Sequence, residues 1–180
     1  MRLSGGELRS RRIPAPRGSA VRPTPGRVKE ALFSIVGERI AGARVLDLFA
    51  GTGAIGFEAI SRGALHATFV EQHAPTAAAI RASAQALGIA DRVRVVTATA
   101  ERSAARVEGR YDFVYADPPY ADAPPERLFA TLRERGAIDA GTLVVYERRA
   151  SAPAVVFAGF TLEREARYGE VALQFLRLDA

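Results

Sequence analysis

Short apolar runs and stretches of helical period alternate along most of the chain. Runs at 44–49, 67–71, 93–97, 112–116 and 142–147 are rich in Val, Leu, Phe and Tyr. Such runs fit strands covered on both faces of a parallel sheet. Helices are predicted between them at about 54–63, 74–87 and 125–135, with Gly63 and Gly88 ending the first two. Upstream, Val28, Ala31, Leu32, Ile35 and Val36 recur at helical spacing and form one apolar face, with Arg27, Lys29 and Glu30 off it. Thr24 can cap that helix, and Pro25 fits its first turn. Two strand-like runs, 160–167 and 170–178, close the chain as a hairpin joined near Tyr168-Gly169. The pattern predicts an α/β fold: a mostly parallel, seven-stranded sheet with an antiparallel edge and helices on both faces. Residues 1–13 predict a small β-hairpin, with its turn at Gly5-Gly6 and apolar contacts from Leu3, Leu8 and Ile13. Pro14, Pro16, Gly18 and Pro23 then keep the chain extended. The organisation read from this is a hairpin and arm over 1–23 and an α/β domain over 24–180.

Composition narrows the function classes. A chain of 180 residues with 48% hydrophobic content is globular and long enough to bury a core. No apolar run approaches the roughly 18 residues that span a membrane. The N-terminal arginines precede no apolar stretch of a secretory signal. Zero cysteines exclude disulfides and thiolate metal sites, and two histidines argue against zinc or iron. The expectation is a cytoplasmic protein without a metal. Charge is uneven: residues 1–35 carry eight basic residues against two acidic, and the remainder 17 against 18. A basic arm on a near-neutral body is the electrostatic footprint of a nucleic-acid binder. Its candidate contacts are Arg2, Arg9, Arg11, Arg12, Arg22 and Arg27.

The stretch Val45 to Gly56 reads as strand, tight turn and helix start. Gly51, Gly53 and Gly56 match the G-x-G-x-x-G spacing of a nucleotide-binding turn. Asp47 stands just before the glycines, where a carboxylate would repel the pyrophosphate of NAD or FAD. S-adenosylmethionine has no phosphate and two cationic centres, and it suits that position. Asp47, Phe49, Ala50, Gly51 and Gly53 are therefore candidate cofactor contacts. Glu71 ends the second strand 20 residues after Gly51, where an acid accepts hydrogen bonds from ribose hydroxyls.

Asp117-Pro118-Pro119-Tyr120 follows the fourth strand, which lies beside the first in a doubly wound sheet. Both motifs then face one crevice. Two prolines remove two N–H donors and leave acceptors, the Asp117 carboxylate and the Pro118 carbonyl. An acceptor pair recognises an –NH2 group, and Tyr120 offers a face on which a nucleobase can stack. Asp117, Pro118 and Tyr120 are thus candidate catalytic residues for methyl transfer to the exocyclic amine of a purine.

The chain resembles the bacterial RsmD-type 16S ribosomal RNA guanine-N2 methyltransferases over nearly its whole length. The resemblance is carried by Arg2-Leu3-Ser4-Gly5-Gly6 with Arg11-Arg12, by Arg22-Pro23-Thr24 and by Arg27 through Phe33. Asp47 through Ala54, Glu58-Ala59, Ser61 through Ala64, Phe69-Val70-Glu71, the Asp-Pro-Pro-Tyr segment and Tyr168-Gly169 complete it. It implies a Rossmann-like class I S-adenosylmethionine-dependent methyltransferase with a small N-terminal β-hairpin. It also implies a guanine of 16S rRNA, in an assembling small ribosomal subunit, as substrate. Thr99 stands where the family usually has an Asp or Asn against the adenine, with the Ala100 backbone beside it. Two other readings stay open on the residues alone: a DNA adenine-N6 methyltransferase and a non-catalytic RNA-binding assembly factor. Asp-Pro-Pro-Tyr does not distinguish the purine, while intact Asp47, Glu71 and Asp117 argue against the loss of catalysis.

Overall fold

The computed structural model describes residues 1–14, 25–119 and 123–179. Arg17, Arg22, Thr24 and Tyr120 lie outside the described residues. Seven strands form one sheet: β1 (Arg44–Leu48), β2 (His66–Glu71), β3 (Val93–Thr97), β4 (Phe113–Ala116), β5 (Leu143–Arg149), β6 (Phe160–Tyr168) and β7 (Val171–Leu178). Their order is β3-β2-β1-β4-β5-β7-β6. The first five are parallel, and β7 is antiparallel to both β5 and β6. The closing hairpin therefore supplies the antiparallel edge, turning at Gly169, whose φ is 61°. The helices are α1 (Gly26–Val36), α2 (Ala54–Ser61), α3 (Ala74–Leu87), α4 (Ala100–Ser103) and α5 (Glu126–Glu134). This is the Rossmann-like arrangement that the sequence implied. The four-residue α4 is too short to show a period and was not legible.

Buried apolar side chains form two clusters, one on each face of the sheet. Val45, Phe69, Phe113 and Val145 pack with Val28, Leu32 and Phe57 of α1 and α2. Leu46, Val70, Val114 and Val144 pack with Leu128, Phe129 and Leu132 of α5. Strand alternation produces this division, because successive side chains point to opposite faces. Gly56 explains the close seat of α2. A Cβ there would come 2.3 Å from the Phe69 ring, so the third glycine of the motif serves helix-to-sheet packing.

The N-terminal segment joins the first cluster through Leu3 and Ile13, which are both buried. Its hairpin shrinks to one antiparallel bridge, Arg2 to Arg12. The reversal runs through Glu7–Ser10, with Ser10 at φ 68°, and not through Gly5-Gly6. Those glycines instead press on the C-terminal end of α2. The Gly6 φ is +74°, and a Cβ on it would fall 1.6 Å from the Ser61 carbonyl oxygen. Glu7 N–H donates to that carbonyl at 2.7 Å, and the Ser61 hydroxyl donates to the Gly5 carbonyl at 2.5 Å.

Lys29 departs from its expected place off the apolar face. It is 1% exposed and pairs with Glu58, which is 0% exposed. Glu58 also accepts from Ser4 N–H at 2.9 Å, Ser4 Oγ at 2.7 Å, Gly5 N–H at 2.9 Å and Arg62 Nε at 2.9 Å. Lys29 Nζ also donates to the Arg2 carbonyl at 3.0 Å. One buried carboxylate thus ties α1, α2 and the N-terminal segment together. Burial alone would raise the Glu58 carboxyl, but the bonds from Lys29, Ser4 and Arg62 outweigh it and hold the group below its ordinary value.

Candidate active site

The first strand ends one residue before a strained turn. Phe49 has φ 60°, a left-handed value that costs a residue with a Cβ roughly 1–3 kcal/mol. Gly51 and Gly53 follow at φ 52° and 76°. The turn is held from both sides. Ala50 N–H donates to the Val70 carbonyl at 2.8 Å, and Gly53 N–H donates to the Ala50 carbonyl at 2.7 Å. Gly51 N–H donates to Glu71 Oε2 at 2.9 Å, and His73 N–H donates to Glu71 Oε1 at 2.7 Å. Glu71 therefore braces the turn as well as ending β2. A carboxylate has about four acceptor positions, so capacity for ribose hydroxyls remains.

Asp47 is 2% exposed, and its Oδ2 accepts Gly56 N–H at 3.0 Å. Burial raises its pKa to about 8; the Gly56 bond lowers it in part, and Glu71 adds repulsion. Asp117 directly follows β4, whose Ala116 pairs with Leu48 of β1, so the two motifs sit on adjacent strand ends. Burial also raises Asp117 to about 8, with further repulsion from Glu147 and Asp47. Pro118 is buried and Pro119 exposed.

Two residues beneath Asp117 had no part in the sequence reading. Tyr115 is buried and donates its hydroxyl to Glu147 on β5. Burial, followed by the charge of Glu147, drives the Tyr115 phenol well above its ordinary value. The signal for Glu147 was present, since Val-Tyr-Glu closes the predicted run 142–147 as Phe-Val-Glu closes β2, although β5 itself continues to Arg149. Together, Asp47, Glu71, Asp117 and Glu147 place four carboxyl groups at or near the carboxyl ends of four neighbouring strands. Among the described residues no group of three His, Asp or Glu is placed to hold a metal ion. Carboxylates, a glycine turn and no Lys or Arg within Asp47–Gly56 fit a cationic ligand such as S-adenosylmethionine better than a pyrophosphate.

A cavity of about 550 Å³ opens at the ends of β2 and β3. Gln72, His73, Thr97, Ala98 and Thr99 line it with Arg102 and Arg106. Thr99 also caps α4, its hydroxyl accepting Arg102 N–H at 3.3 Å. Ala100 is buried behind it.

Arg2, Arg9, Arg11 and Arg12 are all exposed on the N-terminal segment, and Arg27 is exposed in the first turn of α1. Arg11 donates to the Ala86 carbonyl at 3.2 Å, near the C-terminus of α3. The segment docks on the far end of α2. Eight residues separate Gly53 from Ser61, or about 12 Å at 1.5 Å per residue. The segment that carries Arg2, Arg9, Arg11 and Arg12 is therefore anchored about one helix length from the glycine turn.

The chain also matches known proteins. The chain matches the family described as Conserved hypothetical protein 95 over residues 1–177. It is 32% identical over 181 residues to Ribosomal RNA small subunit methyltransferase D of Escherichia coli strain K12, covering 100% of this chain and 91% of that protein. The protein of the same name from Haemophilus influenzae is 29% identical over 175 residues, covering 96% and 91%. The solved structure of the Escherichia coli protein yhhF superposes with a TM-score of 0.88 at 32% identity, covering 100% of this chain and 98% of that one.

Proposed function

Because the chain belongs to the Conserved hypothetical protein 95 family, the RsmD-type ribosomal RNA methyltransferases, we propose that it methylates the N2 amine of a guanine in 16S rRNA. The observation that carries this is the pairing of the Asp47 glycine turn with Asp117-Pro118 on neighbouring strand ends. S-adenosylmethionine bound along the turn would supply a methyl group on a good leaving group, the sulfonium, and the amine would lose one proton to Asp117 or to water. Asp47, the turn from Phe49 to Gly53 and Glu71 would hold the cofactor, with Thr99 and Ala100 at the adenine end. The Asp117 carboxyl and the Pro118 carbonyl accept the two N–H bonds of the target amine. Held this way, the nitrogen is favoured as a pyramid with its lone pair aimed at the methyl, and positioning with electrostatics supplies most of the acceleration. Tyr120 stacks on the base, which must be turned out or lie in a loop. Arg2, Arg9, Arg11, Arg12, Arg22 and Arg27 hold the RNA backbone of a cytoplasmic, assembling subunit.

Two results are expected. The purified chain should transfer methyl from S-adenosylmethionine to small-subunit rRNA or its particle at a guanine N2, located by mass mapping. Transfer to duplex DNA adenine with none to rRNA would overturn the assignment. Cofactor binding should also release protons. A cation beside Asp47 and Asp117 favours their ionised forms, so their pKa values fall from about 8 on binding. Affinity should therefore rise with pH from 6 to about 7.5, and calorimetry in buffers of different ionisation enthalpy should report proton release near pH 7. The free fold has the matching sign: a raised carboxyl pKa makes it lose stability as pH climbs from 3.8 towards 8. A pH-independent affinity with no proton release would remove Asp47 and Asp117 from contact with the cofactor's charge.

A further inference from the structure

Arg102 and Arg106 line the cavity at the ends of β2 and β3. Both are exposed. Their neighbours are engaged: Arg81 donates to Val95 O at 3.0 Å and Thr97 Oγ1 at 2.9 Å, and Arg94 pairs with Glu108 at 2.8 Å. The guanidinium groups of Arg102 and Arg106 have no hydrogen bond or ion pair among the described residues. The two lie four positions apart, and Arg106 N–H donates to the Ser103 carbonyl at 2.7 Å, so the chain is still coiling between them. Adenosine carries no anion, and the cofactor's one carboxylate belongs to its methionyl end, so the adenosine end gives these cations nothing to neutralise. A guanidinium is the side chain best matched to a phosphate, by charge and by its planar fork of donors.

We propose that Arg102 and Arg106 clamp a backbone phosphate of the substrate RNA across the adenosine end of the cofactor site. This rests on the reading of the chain as an RNA methyltransferase. The span is suitable. Strands β3, β2, β1 and β4 are successive neighbours, and three steps of about 4.8 Å put roughly 14 Å between the cavity and Asp117. A stacked strand advances about 3.4 Å per phosphate along its axis, so the clamp lies within about four nucleotides of the target base. RNA held there covers the adenosine cavity. Cofactor then enters before RNA, and its dissociation slows once RNA is bound.

The test uses the full chain, small-subunit rRNA and two double variants, Arg102→Ala/Arg106→Ala and Arg102→Lys/Arg106→Lys. RNA affinity is measured across a salt series. Cofactor affinity and dissociation rate are measured with and without RNA. The alanine pair should make the salt slope shallower by about 0.7, the value for one phosphate released, which is roughly fourfold weaker binding at 0.15 M salt. It should also abolish the slowing of cofactor release by RNA, while cofactor affinity without RNA stays within about twofold. The lysine pair should restore most of the slope, because charge carries it. An unchanged salt slope in an alanine variant, beside a wild type that methylates rRNA, overturns the clamp alone. Cofactor affinity that drops in the absence of RNA, with the salt slope intact, assigns the arginines to the cofactor and also overturns it. A wild type that neither binds nor methylates rRNA overturns the parent reading and the clamp together.

Discussion

Replacing Asp117 with alanine is expected to lower the single-turnover rate of methyl transfer by roughly 10²–10³-fold, the usual cost of deleting one group aimed at a transition state. Asp117 is one of the two acceptors for the target amine, and the other, the Pro118 carbonyl, is main chain and survives the change. Asp117 is only partly buried, and burial raises its pKa to about 8. The free fold therefore gains no charged interaction from it at neutral pH, and the alanine variant should fold; it should still bind cofactor, more weakly, through Asp47, the glycine turn and Glu71. Asp117→Asn separates two roles. An amide keeps an acceptor oxygen but cannot take a proton. A rate within about tenfold of wild type in the asparagine variant would make Asp117 an acceptor, with water as the proton's destination. A loss as deep as alanine's would make it the base. An alanine variant that methylates at the wild-type rate would sink the placement of the acceptor pair.

Lys29→Met is expected to destabilise the protein by about 3–5 kcal/mol, because it strands the Glu58 carboxylate in the interior without its principal counter-charge. For a chain of this size each kcal/mol shifts the melting midpoint by about 2–4 °C, so a fall of roughly 10 °C is the observable. Adding Glu58→Gln should recover part of the loss. The glutamine has no charge to strand, and its amide oxygen can still accept from Ser4 or Gly5. The native pair also has an acid limit. Its Glu58 carboxyl is depressed in the fold, so the stability it contributes is complete above the unfolded value of 4.5 and disappears as pH falls through the lower folded value. A Lys29→Met protein that melts with the wild type would show that the buried pair contributes nothing net. The same architecture makes deletion of the arm a poor test of RNA binding. Removing residues 1–20 also removes Leu3 and Ile13 from the core and Ser4 and Gly5 from Glu58. Charge substitutions at Arg9 and Arg12 leave those contacts in place.

Local pattern carried far into this fold. Helix 74–87 and strand 93–97 were legible to the residue, because Gly88 adopts the left-handed conformation that stops a helix and because Val93–Thr97 is β-branched. The crevice between β1 and β4 was legible too, since strand–helix alternation leaves few orders for a parallel sheet. The errors have one character. Gly5-Gly6 was read as a hairpin turn from its own flexibility, yet its glycines are needed because Ser61 lies where a Cβ would go. The helical period put Lys29 off the apolar face, yet Glu58 arrives from another helix to receive it.

The sequence by itself determined the order of elements, the glycine turn, the acids at the strand ends and the Asp-Pro-Pro segment. Each depends on neighbours a few residues away, where backbone geometry and side-chain period act. Only the tertiary structure decided which charges meet and how deeply they are buried. It paired Lys29 with Glu58 across 29 residues, set Glu147 under Asp117 through Tyr115, and left Arg102 and Arg106 facing a cavity. Burial and electrostatic pairing depend on what covers a group from elsewhere in the chain, and local sequence carries no record of that.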